Sequence, residues 1–166
     1  MKCTFVSKLV DFLCYYSYKK PYKLYLNVKG RTVVARVNGF LVCENTEFIK
    51  PPLNELEEKM SIIGPLSNGV LKYIPTHYTF SIVVSFDDIM GDADRTIKVI
   101  FRLKDKVIVD TGVLNLEQII KNNSMEGIVA SMGFNNIDIG EEGEYSFDIY
   151  YKDKKIATYP FVIKKQ

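Results

Sequence analysis

Histidine, tryptophan and cysteine are scarce in this chain of 166 residues, which has one His, no Trp and three Cys. A single histidine excludes most metal-hydrolase and Ser-His-Asp schemes, because these use histidine as a ligand or a base. Cys3, Cys14 and Cys43 form no C-x-x-C pair, so the sequence indicates neither a zinc site nor a disulfide framework. An odd set of unpatterned cysteines is typical of a reducing compartment, and we expect a cytoplasmic protein.

Long apolar runs and phosphate-binding glycine motifs are also missing. No stretch approaches the ~20 apolar residues that a membrane span requires. The first 16 residues superficially resemble a signal peptide, but Lys8 and Asp11 interrupt the stretch and no small-residue cleavage site follows. Neither GxGxxG nor a Walker loop is present, and no nucleophile–base pair can be named. We therefore expect no membrane association, no enzymatic activity and no organic cofactor.

The chain does contain segments in which apolar and polar residues alternate, and it is rich in aromatic residues, with 11 Tyr and 10 Phe. Apolar and polar residues alternate over residues 78–86, 95–103 and 144–151, which predicts strands. The polar turns Lys104-Asp105-Lys106 and Lys152-Asp153-Lys154 predict two hairpins. About seven to nine short strands at a spacing of roughly ten residues predict an antiparallel β-sandwich.

Helical patterns are few. Residues 4–16 carry a one-sided apolar stripe, which predicts a short N-terminal helix and consists of Phe5, Leu9, Phe12, Leu13 and Tyr16. Residues 53–60 and 115–121 predict one or two minor helical turns. The expected fold class is therefore mainly β, an antiparallel immunoglobulin-like β-sandwich with a short N-terminal helix.

The C-terminal half contains a motif that immunoglobulin-like sandwiches use. In the run from Glu142 to Phe147, Gly143 ends a loop and Tyr145 enters a strand, where its hydroxyl can bond to backbone a few residues upstream. The wider order of motifs is Leu41-Val42-Cys43-Glu44, Ile63-Gly64, Pro75, Gly143-Glu144-Tyr145 and Tyr159-Pro160. Over about residues 40–166 this order resembles a family of uncharacterised bacterial small proteins with an immunoglobulin-like β-sandwich.

The resemblance is architectural, and it implies a sandwich fold, a bacterial or phage origin and no catalytic residues. We expect the sandwich domain to span residues 39–166. Residues 1–38 then form a basic, Tyr-rich extension that packs on or adjoins it.

Charge is distributed unevenly. Residues 1–36 carry eight Lys or Arg and one acid, whereas residues 37–166 carry fourteen Lys or Arg and nineteen acids. A candidate partner-binding segment combines these basic residues with tyrosines: Tyr15, Tyr16, Tyr18, Lys19, Lys20, Tyr22 and Lys23. Tyrosine is enriched at protein interfaces, which favours another protein or a second copy as the partner. Base stacking on Tyr with Lys on phosphate is the nucleic-acid alternative, and a solvated lysine face is the alternative without a partner.

An acidic connection between two predicted strands supplies a candidate metal site, formed by Asp87, Asp88, Asp92 and Asp94. Ca²⁺ takes six to eight oxygen ligands, which such a loop can provide. The spacing does not match an EF-hand, and a solvent-exposed turn is the alternative. His77 is interpreted as a structural or surface residue, and Cys43 as a buried, inert thiol.

These observations favour a non-enzymatic β-sandwich module that binds another protein or itself, as an accessory or host-interaction protein. The alternative is a ligand-binding module that takes Ca²⁺ at residues 87–94 or nucleic acid at the basic N-terminal segment.

Overall fold

A computed structural model describes residues 10–18, 35–49, 59–89, 95–116 and 127–166. These residues form strands and turns. The strands are β1 (Val10–Tyr18), β2 (Arg36–Ile49), β3 (Lys59–Leu66), β4 (Gly69–Leu71), β5 (Thr76–Asp87), β6 (Thr96–Leu103), β7 (Lys106–Asp110), β8 (Leu114–Asn115), β9 (Gly127–Ile139), β10 (Gly143–Tyr151) and β11 (Lys154–Lys165). Within these ranges no helix is long and apolar enough to cross a membrane.

The strands assemble into two sheets. The first sheet has the order β1-β9-β5-β2-β3, and the second has the order β4-β11-β10-β6-β7, with β8 also pairing with β6. Neighbouring strands are antiparallel, except that the short β4 runs parallel to β11. The prediction of a mainly β, antiparallel protein is confirmed.

One aromatic core joins the inner faces of the two sheets. Phe80 and Phe134 of the first sheet stack with ring centroids 5.1 Å apart, and Phe101 and Phe147 of the second stack at 4.6 Å. Phe80 also meets Phe101 edge-on at 5.5 Å, so the two pairs are continuous. Such aromatic contacts contribute about 0.5–1.5 kcal/mol each beyond the area that they bury.

The strands with regular alternation form where the sequence predicted them. In β5, every second side chain from Phe80 to Phe86 lies in the core, and in β10 the same holds from Tyr145 to Tyr151. The two-residue loop between β10 and β11 places Lys152 and Asp153 at φ 47° and 59°, as a type I′ turn requires. The predicted hairpins β6–β7 and β10–β11 are confirmed.

The predicted N-terminal helix is not found where the structure describes that segment. Residues 10–16 belong to β1, which pairs with β9 from Val10 opposite Phe134 to Tyr18 opposite Gly127. The register shifts between Cys14 and Ser17. The successive apolar residues Phe12 and Leu13 fit a helical stripe as well as a strand, and the pairing with β9 decides for the strand. Residues 4–9 lie outside the described residues.

The two minor helical turns lie mostly outside the described ranges, at residues 53–58 and 117–121. The described ends of those predictions are strand: Lys59 and Met60 begin β3, and Asn115 ends β8. The predicted boundary at residue 38 falls within β2, and β1 is an edge strand of the same sheet.

The distal half of β2 leaves the first sheet and crosses its outer face. Thr46 Oγ1 lies 2.6 Å from Ser131 Oγ in β9, although β5 separates β2 from β9. Next-nearest strands are about 10 Å apart, which two short hydroxyl side chains cannot bridge within the sheet. Ser131 alternates with the core residues Ala130 and Met132, so it faces outward. We call residues 44–49 and 59–63 the β2–β3 arm.

The tyrosine corner predicted at the start of β10 is confirmed. The Tyr145 hydroxyl donates a hydrogen bond of 2.7 Å to the backbone carbonyl of Glu141, while its ring stacks on Phe101 at 5.2 Å. Burial raises the pKa of Tyr145, as does the nearby Glu141 carboxylate, whereas the bond to the Glu141 backbone opposes the rise. The side chain therefore fixes the β9–β10 loop to the core.

Replacing Tyr145 with Phe should lower the free energy of unfolding by about 0.5–1.5 kcal/mol, because the ring packing stays while the bond to Glu141 is lost. Urea denaturation measures this change. Tyr159→Phe is the matched control, since no described residue bonds to its hydroxyl, and it should change the free energy by less than about 0.5 kcal/mol. Equal losses in the two variants would contradict the corner's role.

Alkaline pH should destabilise the protein in part through Tyr145. A pKa raised in the folded state stabilises the protein below the unfolded value of about 10, and this stability is lost as pH rises through the folded pKa. The free energy of unfolding, measured from about pH 9 to about pH 12, should therefore fall less steeply in Tyr145→Phe than in the wild type. An identical fall in both proteins would exclude this contribution.

Candidate functional site

The acidic connection begins with two aspartates that face an arginine. Arg36 opens β2 and stands opposite Asp87, which ends β5. Arg36 Nη2 lies 3.7 Å from Asp87 Oδ2, and Arg36 Nε lies 3.1 Å from Asp88 Oδ2. The Asp87 side chain is 2% exposed, whereas that of Arg36 is 61% exposed. One guanidinium thus contacts two successive carboxylates at this end of the first sheet and balances one of their two negative charges.

This arrangement bears on the calcium hypothesis without deciding it. Asp92 and Asp94 lie outside the described residues, and the described part of the chain contains no group of three His, Cys, Asp or Glu side chains suited to a metal. To bind Ca²⁺, Asp87 and Asp88 would have to give up their contacts with Arg36. The calcium site therefore stays a prediction, in which Arg36 and Ca²⁺ compete for the same carboxylates.

The predicted partner-binding segment is described only in part. The backbone of Tyr15, Tyr16 and Tyr18 lies in β1, which is at an edge of the first sheet among the described strands. The remaining members lie outside the described residues: Lys19, Lys20, Tyr22 and Lys23. The structure therefore places the beginning of this segment on an edge strand.

The structure describes both Cys43 and His77, which the sequence interpretation gives as a buried, inert thiol and a structural or surface residue. Cys43 is fully buried, and burial raises the pKa of its thiol, so it stays protonated and unreactive at neutral pH. His77 Nδ1 does have a carboxylate partner, Asp138 Oδ1 at 2.7 Å, but both side chains are exposed. The prediction that Cys43 is buried is confirmed, and His77 belongs to a surface ion pair that the sequence did not predict.

A buried carboxylate missed at the sequence level lies on the outer face of the second sheet. Asp148 receives a 2.6 Å hydrogen bond from the Thr158 hydroxyl, a contact with Arg102 Nη2 at 3.0 Å and one with Lys155 Nζ at 3.6 Å. These residues come from β6, β10 and β11, so the cluster fixes the register of three strands. In the sequence, Asp148 stands at a polar position of the alternation in β10, and such a position predicts exposure to solvent.

The tyrosine corner also borders a small open pocket of about 190 Å³. Its lining comes from three strands and a loop: Leu103, Lys106, Ile108, Gly140, Glu141 and Tyr145. Ligand sites usually enclose about 300–1,000 Å³. The volume of this pocket lies below that range.

Three of the seven exposed large hydrophobic side chains among the described residues lie on the β2–β3 arm. Ile49, Ile62 and Ile63 are 52%, 41% and 37% exposed. Ile62 and Ile63 are adjacent in β3, so their side chains point to opposite faces of the strand. An element that packs on one of these faces cannot cover both side chains. The sequence signal was the unbroken Ile62-Ile63 pair, which departs from the alternation of a half-buried strand.

Comparison with known proteins gives no family and no relative. No protein-family model matches the chain, and no curated protein sequence matches it.

Replacing Arg36 with Met should lower the free energy of unfolding by about 1–3 kcal/mol, because the buried carboxylate of Asp87 loses a charged partner. Urea denaturation provides the measurement. Lys72→Met is a control for the loss of one exposed positive charge, since Lys72 has no carboxylate partner among the described residues. A loss no larger than that of the control would show that Arg36 does not neutralise Asp87.

The same variant tests the calcium hypothesis. Removing Arg36 takes a competing cation away from Asp87 and Asp88, so a calcium site here should give a larger rise in Tm with millimolar Ca²⁺ in Arg36→Met than in the wild type. The rise should vanish when Asp87 and Asp88 are both changed to Asn. If neither protein responds to Ca²⁺, residues 87–94 do not form a calcium site.

Proposed function

We propose that this chain is a non-enzymatic, immunoglobulin-like β-sandwich that binds another protein or a second copy of itself, and that the β2–β3 arm is its principal contact surface. The observation that carries the proposal is the set of exposed isoleucines on the arm, Ile49, Ile62 and Ile63. Exposed apolar side chains on an edge strand offer a partner apolar surface to cover.

The position of the arm adds to this support. β3 is an edge strand that, among the described strands, pairs only with β2. An edge strand offers backbone N–H and C=O groups to an added strand, while its side chains supply specificity. A partner strand at β3 would satisfy these groups and cover part of the isoleucine surface in one step.

The chemistry of the remaining described residues supports a binding role over catalysis. The buried carboxylate of Asp148 is paired with Arg102 in a structural cluster, and Cys43 is inaccessible. The immunoglobulin-like assignment is supported by the tyrosine corner at Tyr145.

A cytoplasmic location is supported by the odd number of cysteines and by their lack of a spacing pattern.

The tagged protein should retain a stoichiometric protein partner, or further copies of itself, from native lysate treated with nuclease. Ile62→Lys and Ile63→Lys should each reduce that retention at least about tenfold, because a charge in an apolar contact costs more than about 1.4 kcal/mol. Quantitative mass spectrometry of the retained material measures the effect.

Val113→Lys is the matched control, since Val113 is 63% exposed and lies outside the arm. It should retain the same material as the wild type. Equal losses in Val113→Lys and Ile63→Lys would contradict the arm as the contact surface. Retention that disappears with nuclease would instead favour the nucleic-acid alternative.

A further inference from the structure

The second sheet ends in an edge strand, β7, that is suited to accept an added strand. β7 has 5 residues, and among the described strands it pairs only with β6. Every second residue of such a strand directs its backbone N–H and C=O away from its one neighbour. β7 contains no proline, so none of these N–H groups is missing. β4, at the opposite edge of this sheet, has only 3 residues.

The small pocket beside the tyrosine corner lies at the start of β7. Lys106 and Ile108 of β7 line it, and the buried side chains of Leu103 and Tyr145 form its apolar part. Its volume is about 190 Å³. One apolar side chain fits such a volume, because an apolar cavity of roughly 150 Å³ holds a benzene molecule. The pocket can therefore receive a single side chain from a strand added to β7.

Val107 offers an added strand a second apolar contact. Its side chain is 50% exposed, and in the β6–β7 pairing it stands opposite Arg102. Adjacent residues of a strand point to opposite faces, so Val107 faces away from the pocket that Lys106 lines. An extended segment with two adjacent apolar residues would fill the pocket with one and cover Val107 with the other.

The charges of β7 select the order of charges in the added strand. β7 begins with Lys106 and ends with Asp110, and both side chains are exposed. An antiparallel strand, which pairs more stably than a parallel one, runs from the Asp110 end to the Lys106 end. A basic residue at its start and an acidic residue at its end then stand opposite groups of opposite charge. Glu141 also lines the pocket, so its carboxylate disfavours an acidic side chain inside it.

We infer that β7 and this pocket form a further binding site, which takes an extended segment of a partner protein as an added antiparallel strand. The segment has a basic residue first, two adjacent apolar residues next and an acidic residue last. Backbone hydrogen bonds supply the affinity of such an addition, and the side-chain pocket supplies its specificity. The site lies on the second sheet, so it stands independently of the β2–β3 arm on the first.

Fluorescence anisotropy with labelled synthetic peptides tests the site on the full chain. The probe peptide carries lysine, threonine, leucine, valine and aspartate in this order within a threonine-rich background. It should bind the wild type with a Kd below about 1 mM. A peptide with the lysine and aspartate exchanged should bind about threefold more weakly or worse, because it places like charges opposite Lys106 and Asp110. Replacing the leucine with alanine should weaken binding about tenfold, because the pocket is left unfilled.

Gly140→Leu should close the pocket from the β9–β10 loop. Gly140 lines the pocket, and a Cβ at this position would have no neighbouring atom within 4 Å, so the fold has room for a larger side chain. This variant should bind the probe about tenfold more weakly, because the leucine of the probe is kept out of the pocket. Gly140→Ala is the matched control, and it should bind the probe as the wild type does.

Lys106→Glu reverses the charge at the start of β7. It should weaken binding of the probe and strengthen binding of a peptide whose aspartate is replaced with lysine, because that pair is again of opposite sign. Lys106 is exposed, so this variant decides the question if circular dichroism shows that Gly140→Leu is unfolded. Ile63→Lys, a change on the arm, should bind the probe as the wild type does.

Three outcomes would overturn the site. A wild type that binds no probe at about 1 mM would show that β7 accepts no such strand, and it would leave the arm as a contact surface. Equal binding by Gly140→Leu and Gly140→Ala would show that no side chain enters the pocket. Binding that is weakened in Ile63→Lys but not in Lys106→Glu would place the peptide on the arm instead.

Discussion

The contact between Phe80 and the second sheet is the interaction on which the described structure depends. Phe80 lies within 6.1 Å, centroid to centroid, of Phe134 on its own sheet and of Phe101, Phe147 and Phe161 on the other. Each ring comes from the apolar phase of its strand. Because the two sheets pack together through this cluster, the cluster determines which face of each sheet points inward and which points outward.

The position of the core determines which surfaces of the two sheets stay exposed. The outer face of the second sheet is stabilised by charged residues around Asp148, which holds three strands in register. Part of the outer face of the first sheet is crossed by the β2–β3 arm, through the contact between Thr46 and Ser131. The apolar groups left exposed on that arm, at the edge of the sheet, are those that a partner could cover.

The sequence predicted those strands whose regular alternation comes from a single buried face. β5, β6 and β10 have one side in the aromatic core, and Gly143 and Tyr145 at the start of β10 indicate the corner locally. These features depend on local pattern and on burial, which a sequence records directly.

Features that depend on contacts distant in sequence could not be predicted in the same way. β1 was predicted as a helix because Phe12, Leu13 and Tyr16 do not alternate, and its pairing with β9 involves residues more than a hundred positions away. The pairing of Arg36 with Asp87 and Asp88 also depends on the β2–β5 register. The exposure of Ile62 and Ile63 follows from the place of β3 at the edge of the sheet, which only the topology provides.

Hydrogen–deuterium exchange at low and high protein concentration in low salt tests the central claim, that the β3 edge is a contact surface, most directly. The account predicts that backbone amides of residues 59–63 exchange more slowly at high concentration, since a partner strand would bond to those that face away from β2. Amides in β6, which is paired with β10 on one side and β7 on the other, should exchange at the same rate in both conditions. Unchanged exchange over residues 59–63, in a sample that has nevertheless associated, would contradict the account.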